Sequence, residues 1–120
     1  MRARIGIAVL LLAGFACGGD DTADEEGACT ATIKLKDYTL DPSAVEIASG
    51  PAVLCAVNEG KTPHDLVVRD ASRQDRARSA VLQPGMGARV SVNLVAGSYE
   101  LYCSVAGHES LGMKGPLTVR

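Results

Sequence analysis

The chain has 120 residues and a net charge of −2 at pH 7. This length accommodates one domain. Five of the fourteen acidic residues fall between positions 17 and 28, which leaves residues 29–120 near neutral at +1. Without a basic region the composition gives no indication of nucleic-acid binding.

The first 16 residues have the composition of an export signal. MRAR carries two positive charges, and the apolar run IGIAVLLLAGFA (5–16) is shorter than the roughly 20 residues that span a bilayer. The small-x-small sequence Gly14-Phe15-Ala16 predicts a signal peptide over 1–16, cut before Cys17; a buried N-terminal helix is the alternative. Export places the protein in the periplasm or at the cell surface, where cysteines can form disulfides.

Cys17 and the acidic residues after it resemble the start of a mature bacterial lipoprotein, although Gly14 stands where such signals usually have Leu. A lipidated Cys17 would hold the protein at a membrane surface without crossing it. A soluble product cut at the same bond is the alternative. Residues 17–28 contain no base and no large apolar residue, so we expect a disordered tether.

From Cys29 onward, short apolar or alternating runs are separated by turn residues rich in Gly, Pro, Asn and Asp. The runs are TIKLK (32–36), AVEI (44–47), AVLCAV (52–57), DLVVR (65–69), RVSVNL (89–94), YELYC (99–103) and PLTV (116–119). Short strands without a long helix predict an all-β sandwich or barrel. The polar segment 70–83 is the exception, and we expect a short helix or an irregular excursion there.

Cys103, His108 and Met113 follow one another at intervals of five residues in YELYCSVAGHESLGMKG (99–115). A Cys-His nucleophile pair needs an oriented base beside a cleft, and a small sandwich offers little cleft. Structural zinc sites generally use paired C-x2–4-C or H-x3–5-H ligands, and no such pair occurs here, although zinc can occupy the site opportunistically.

Copper fits these donors better. Two histidines and one cysteine with a weak axial methionine form the electron-transfer copper arrangement. The second histidine must be His64, since the sequence has two histidines in all. His64 lies at the junction of a turn and a predicted strand. The sequence therefore predicts a metal site formed by His64, Cys103, His108 and Met113.

Two segments carry a family resemblance. GSYELYCSVAGHESLGMKGPLTV (97–119) is similar to the copper loop and last strand of the cupredoxins, the small blue copper proteins, and most similar to those of auracyanins and azurins. VNEGKTPHDLVV (57–68) resembles their upstream histidine strand. The resemblance implies a Greek-key β-sandwich of about seven to eight strands over residues 29–120. It implies one copper ion, Cu(II)/Cu(I), with the two histidine Nδ1 atoms and the cysteine sulfur as equatorial ligands and the methionine axial.

The residues beside the ligands depart from the family pattern at two positions. Pro63 stands where azurin-like proteins have Gly, so we expect copper without a close fifth ligand from a carbonyl. Asp65 stands where the family usually has Asn, and an ionised carboxylate only accepts hydrogen bonds. Its backbone N–H can still donate to the Cys103 sulfur, and its charge would lower the reduction potential. We expect Ser104, next to Cys103, to lie around the ligands as well.

The resemblance also implies a disulfide between Cys29 and Cys55, because the first and third strands run side by side in this fold. Two buried free thiols are the alternative. Closing this loop would contribute about 3–4 kcal/mol.

The function implied by the resemblance is electron transfer. The ring edge of His108 would be the electron port, where redox protein partners dock on a rim formed by Ala106, Gly107, Leu111 and Gly112. Arg69, Arg73, Arg76 and Arg78 can steer an acidic partner or form a solvated edge. We expect a monomer without a small-molecule substrate, and no enzyme, since two histidines supply no further copper centre. The alternative is a copper-binding protein for storage, delivery or sensing of the metal.

Overall fold

Nine strands form two sheets in residues 28–120, the part of the chain that the computed structural model describes. The strands are β1 (Ala31–Lys36), β2 (Thr39–Asp41), β3 (Val45–Ile47), β4 (Gly50–Asn58), β5 (Val67–Asp70), β6 (Asp75–Arg78), β7 (Gly87–Leu94), β8 (Gly97–Tyr102) and β9 (Lys114–Val119). A single 3₁₀ turn, Glu109–Leu111, is the only helical element among these residues. The predicted signal peptide, Cys17 and the acidic residues after it lie outside the described residues.

The first sheet has the strand order β2-β1-β4-β7 and the second has the order β3-β9-β8-β5-β6. The pairs β1–β4 and β3–β9 are parallel, and the others are antiparallel. In several strands alternation gives one buried face, as in β7, where Val90, Val92 and Leu94 are buried and the residues between them are exposed. The core between the sheets is almost entirely aliphatic. The predicted all-β sandwich is confirmed.

Each of the seven predicted strands corresponds to a strand of the structure; β2 and β6 are additional. Of the two expectations for 70–83, the helix is wrong: residues 75–78 form β6, which pairs antiparallel with β5 at the edge of the second sheet, while 71–74 and 79–81 are turn or irregular. Its sequence, DRAR, is exposed except for the half-buried Ala77. An edge strand without an apolar face has no alternation by which to recognise it.

The predicted disulfide between Cys29 and Cys55 is confirmed, with the two Cα atoms 5.6 Å apart. It follows from the parallel pairing of β1 with β4, in which Thr32 lies opposite Cys55. The bond ties the segment before β1 to the middle of β4. Across residues 28–120, no helix has the length and apolarity needed to cross a membrane.

Candidate metal centre

His64 lies in the connection between β4 and β5 and is fully buried. Its backbone forms a two-way bridge with Leu82: the His64 N–H donates to the Leu82 carbonyl at 3.1 Å, and the Leu82 N–H donates back at 2.7 Å. The buried Asn58 side chain holds the same connection, donating through Nδ2 to the carbonyls of Thr62 and Leu82. These bonds fix the backbone from which the His64 imidazole projects, whereas an unbonded surface loop would leave that imidazole mobile.

The other three predicted ligands lie in the connection between β8 and β9. Cys103 follows β8, His108 precedes the 3₁₀ turn, and Met113 precedes β9. The Cys103 N–H donates to the Met113 carbonyl at 3.0 Å, and the Met113 N–H donates to the His108 carbonyl at 3.2 Å. Gly112, with φ of 104°, adopts the left-handed conformation that ends the turn. The loop is thereby closed on itself, and Cys103 and Met113 are fully buried.

The donor atoms of His64, Cys103 and His108 lie within 4.8 Å of one another. The two Nδ1 atoms are 3.1 Å apart, and the Cys103 sulfur lies 3.9 Å from that of His64 and 3.6 Å from that of His108. A point equidistant from these three atoms is about 2.1 Å from each, within the range of roughly 2.0–2.3 Å for metal–nitrogen and metal–sulfur bonds. The three side chains therefore fit one metal ion without rearrangement.

The chemistry of the donors selects among metals. Two imidazoles and a thiolate form the trigonal set of a blue copper site, and the thioether of Met113 belongs to the same buried loop. Such a copper ion accepts and releases one electron. Copper is accordingly the cofactor for which this donor set is suited.

The Cys103 sulfur has a backbone donor in the connection that carries His64. The Asp65 N–H points at it from 3.5 Å, as the sequence predicted. Burial raises the pKa of the Cys103 thiol, so the metal-free protein holds it protonated, and a cation must displace that proton. The Asp65 side chain is also buried; it accepts hydrogen bonds from the backbone N–H and the hydroxyl of Ser104. Pro63, half-buried, directly precedes His64.

Two residues around the histidines were not predicted from the sequence. The Asp37 carboxylate lies 2.7 Å from His64 Nε2, and the Tyr38 ring packs against His108 with its centroid 4.8 Å away. Both occupy the turn between β1 and β2, 27 residues before His64 in the case of Asp37. Nothing in KDYTL distinguishes it from an ordinary hairpin turn, so the sequence carries no local signal for this role.

A buried arginine fastens the copper loop to the second sheet. Arg69 of β5 donates through Nη1 and Nη2 to the Glu109 carboxylate at 3.2 and 2.9 Å, and its guanidinium also pairs with Glu100. It stacks on the Tyr102 ring at 4.0 Å. Arg69 is 7% exposed, so its assignment to an exposed basic cluster is wrong. Arg76 and Arg78 pair with Asp70 and Asp75, which leaves Arg73 with no ion pair among the described residues.

The solved structures that resemble this chain include copper proteins. The chain is similar to an auracyanin from Roseiflexus castenholzii, with 19% identity over 78% of this chain and 99% of that one, and a TM-score of 0.69. It is similar to an azurin from Methylomonas sp. strain J, with 16% identity, coverage of 78% and 98%, and a TM-score of 0.68. A copper-containing nitrite reductase from Thermus scotoductus also matches, at 24% identity and a TM-score of 0.57, but over 75% of this chain and only 22% of the enzyme.

Sequence comparison agrees with the fold. No curated protein matches the sequence. The family model described as Cupredoxin-like domain matches residues 6–119, nearly the whole chain. With that match, the two-sheet sandwich and the buried cluster of His64, Cys103 and His108, the chain belongs to the cupredoxin-like family.

Proposed function

We propose that the protein is a type 1 copper electron carrier that passes single electrons between redox proteins outside the cytoplasm. The observation that carries the proposal is the buried triangle of His64, Cys103 and His108 donor atoms, whose spacing already fits one ion. A site held in place before and after reduction needs little reorganisation when the electron moves. Met113, buried in the same loop, would supply the thioether ligand of such a centre.

The route for the electron is proposed to be His108. This residue is 9% exposed, whereas His64 and Cys103 are fully buried. The residues around it in the loop, Ala106, Gly107, Leu111 and Gly112, are exposed. Leu111 is 62% exposed, and together with the glycines it presents a small, weakly apolar surface. Such a surface suits a partner that docks briefly, because contacts are few and desolvation is inexpensive.

The proposed location rests on residues 1–17 of the sequence. The apolar run and the small-x-small pattern support export, and Cys17 supports a lipid anchor at a membrane surface. The disulfide of Cys29 and Cys55 is in keeping with an oxidising compartment.

Copper storage, delivery or sensing is the rival function, and the buried site argues against it. A protein that hands over its metal needs ligands that an acceptor can reach. Here two of the three clustered donors are inaccessible and the connection carrying His64 is fixed by backbone bonds. A metal ion bound by these buried donors would be retained rather than offered to an acceptor protein.

The test is to add one equivalent of Cu(II) to residues 29–120 and record the visible spectrum. The expected result is an intense thiolate-to-copper charge-transfer band, reversibly bleached by a one-electron reductant. Cys103→Ser removes the thiolate and abolishes the band. A weak d–d band alone would contradict a type 1 site.

Electron transfer is separated from storage by two further measurements on the same sample. A carrier exchanges electrons rapidly between its Cu(I) and Cu(II) forms, measured by NMR line broadening in mixtures, and keeps its copper in the presence of a Cu(I) chelator. Slow exchange combined with ready loss of copper would favour storage or delivery.

A further inference from the structure

A carboxylate contacts the His64 imidazole on the edge that faces away from Cys103 and His108. While Nδ1 faces the Cys103–His108 pair, Nε2 lies 2.7 Å from Asp37 Oδ1. A carboxylate accepts hydrogen bonds only, so the proton of the neutral ring must be on Nε2. That tautomer leaves the Nδ1 lone pair free and directed into the metal centre.

The Asp37 carboxylate is itself held by three more donors. The Lys61 N–H donates to Oδ2 at 2.9 Å, and the Thr62 hydroxyl and N–H donate to Oδ1 at 2.9 and 3.4 Å. Together with His64 Nε2, these donors hold both carboxylate oxygens, and hydrogen bonds to a carboxylate favour its ionised form. The carboxylate is thus a fixed negative group, with 24% of its side chain exposed, and not a mobile surface acid.

Gly60 provides the space for this contact. A Cβ at position 60 would lie 2.3 Å from Asp37 Oδ1 and 2.8 Å from His64 Nε2. Any side chain there would push the carboxylate and the imidazole apart. The Gly60 N–H also donates to Asn58 Oδ1 at 2.8 Å, which keeps its backbone in this position. The absence of a side chain at position 60 therefore allows the Asp37 carboxylate and the His64 imidazole to lie in contact.

We infer that Asp37 is a positioning residue of the copper centre: it fixes the orientation and tautomer of His64 and, through the imidazole, favours Cu(II) over Cu(I). Outer carboxylates that accept from a ligating histidine raise the basicity of the ligand, and their loss typically costs 10–100-fold in metal affinity. The oxidised ion carries one more positive charge than the reduced ion, so it gains more from the carboxylate. The inference rests on the proposed copper function and adds Asp37 as a determinant of its reduction potential.

Asp37→Asn keeps the shape of the side chain and removes its charge. The measurements are the Cu(II) and Cu(I) affinities and the midpoint potential. We expect the ratio of Cu(II) to Cu(I) affinity to fall at least about tenfold, which corresponds to a rise of about 59 mV for one electron. The matched control is Asp41→Asn in the same hairpin, whose carboxylate pairs with the exposed Lys36 at 3.0 Å. It should change the ratio less than about twofold, because an exposed charge is screened.

Gly60→Ala tests the contact while keeping the charge. It should raise the potential in the same direction as Asp37→Asn, because the new Cβ displaces the carboxylate from Nε2. Equal potentials in Asp37→Asn and Asp41→Asn would overturn the inference, and so would an unchanged potential in Gly60→Ala with a folded, blue protein.

A readout without copper separates this inference from the proposed function. In the ¹⁵N spectrum of the metal-free protein at mildly alkaline pH, His64 should be the Nε2–H tautomer in the wild type, and a mixture in Asp37→Ala. A wild-type His64 protonated on Nδ1 would overturn the inference whatever the metal does. A wild type that has the expected tautomer but no blue copper band would instead overturn the proposed function and, with it, the effect on potential.

Discussion

Asp65 holds Ser104 through both of its carboxylate oxygens. The Ser104 backbone N–H donates to Oδ1 at 2.6 Å, and the Ser104 hydroxyl donates to Oδ2. Because Asp65 follows His64 and Ser104 follows Cys103, this contact joins the two chain segments that carry the ligands. An asparagine at position 65 could accept only one of these two hydrogen bonds through its side-chain oxygen, and it would carry no charge.

We predict that Asp65→Asn raises the midpoint potential of the copper centre. The carboxylate is 2% exposed and next to a ligand in sequence, so its negative charge favours Cu(II), and removing it favours Cu(I). A rise of roughly 60 mV would mean a tenfold change in relative affinity. Protein-film voltammetry at constant ionic strength gives the value.

The control for that variant is Glu46→Gln, which removes an exposed carboxylate of β3 paired with Arg120. Its potential should stay close to that of the wild type. If Asp65→Asn shifts the potential no more than this control does, the charge of Asp65 does not act on the copper.

Arg69 is predicted to stabilise the copper loop. Arg69→Met removes the paired hydrogen bonds to Glu109 and leaves two partly buried carboxylates, about 30% exposed each, without their partner. We expect a loss of about 1–3 kcal/mol in the free energy of unfolding, below the range for fully buried pairs because water reaches the glutamates. Urea denaturation of the metal-free protein measures it.

Arg76→Met is the comparison for Arg69, since it removes an ion pair with Asp70 from an arginine side chain that is 50% exposed. Its cost should be below about 1 kcal/mol. Equal costs for the two variants would show that the Arg69 network does not hold the loop.

The sandwich and the clustered donors could be predicted from the sequence because their signals are local or exclusive. The alternation Val90-Val92-Leu94 is visible in one strand, and the chain contains one histidine besides His108, so the second imidazole ligand could only be His64. The structure brings His64, Cys103 and His108 together at the end of the sandwich where the strand connections meet.

Asp37 could not be predicted, because its role depends on two non-local facts. The parallel pairing of β1 with β4 places the turn after β1 beside the connection after β4, and Gly60 leaves room for contact there. Neither fact appears in the residues around Asp37. The burial of Arg69 could not be predicted for a related reason. In the sequence it belongs to an arginine-rich stretch, whereas in the sheet it lies opposite Glu100.

Asp70 is predicted to make the stability of the protein depend on pH below neutrality. The Gln74 N–H is the largest cause that lowers the pKa of its carboxyl, followed by Arg76 and the Ser72 N–H. A carboxyl with a lowered folded-state pKa contributes stability above the unfolded value of about 3.9, and that contribution is lost as the pH falls through the folded value. Asp70→Asn should therefore be less stable than the wild type at pH 7, and this difference should shrink by pH 3. A constant difference across that range would contradict the prediction.

Loss of the disulfide is predicted to reduce stability without altering the metal centre. Cys29 and Cys55 are 26 residues apart in sequence, and opening a loop of this size costs about 3–4 kcal/mol in the chain-entropy model. Cys29 precedes β1 whereas Asp37 follows it, so the six-residue strand, about 20 Å long, separates the bond from the turn at the copper end. The double variant Cys29→Ser/Cys55→Ala should unfold at lower urea concentration than the wild type and show the same charge-transfer band and midpoint potential. A shifted band in this variant, at a urea concentration where it is still folded, would show that the disulfide shapes the ligand geometry as well as the stability of the sandwich.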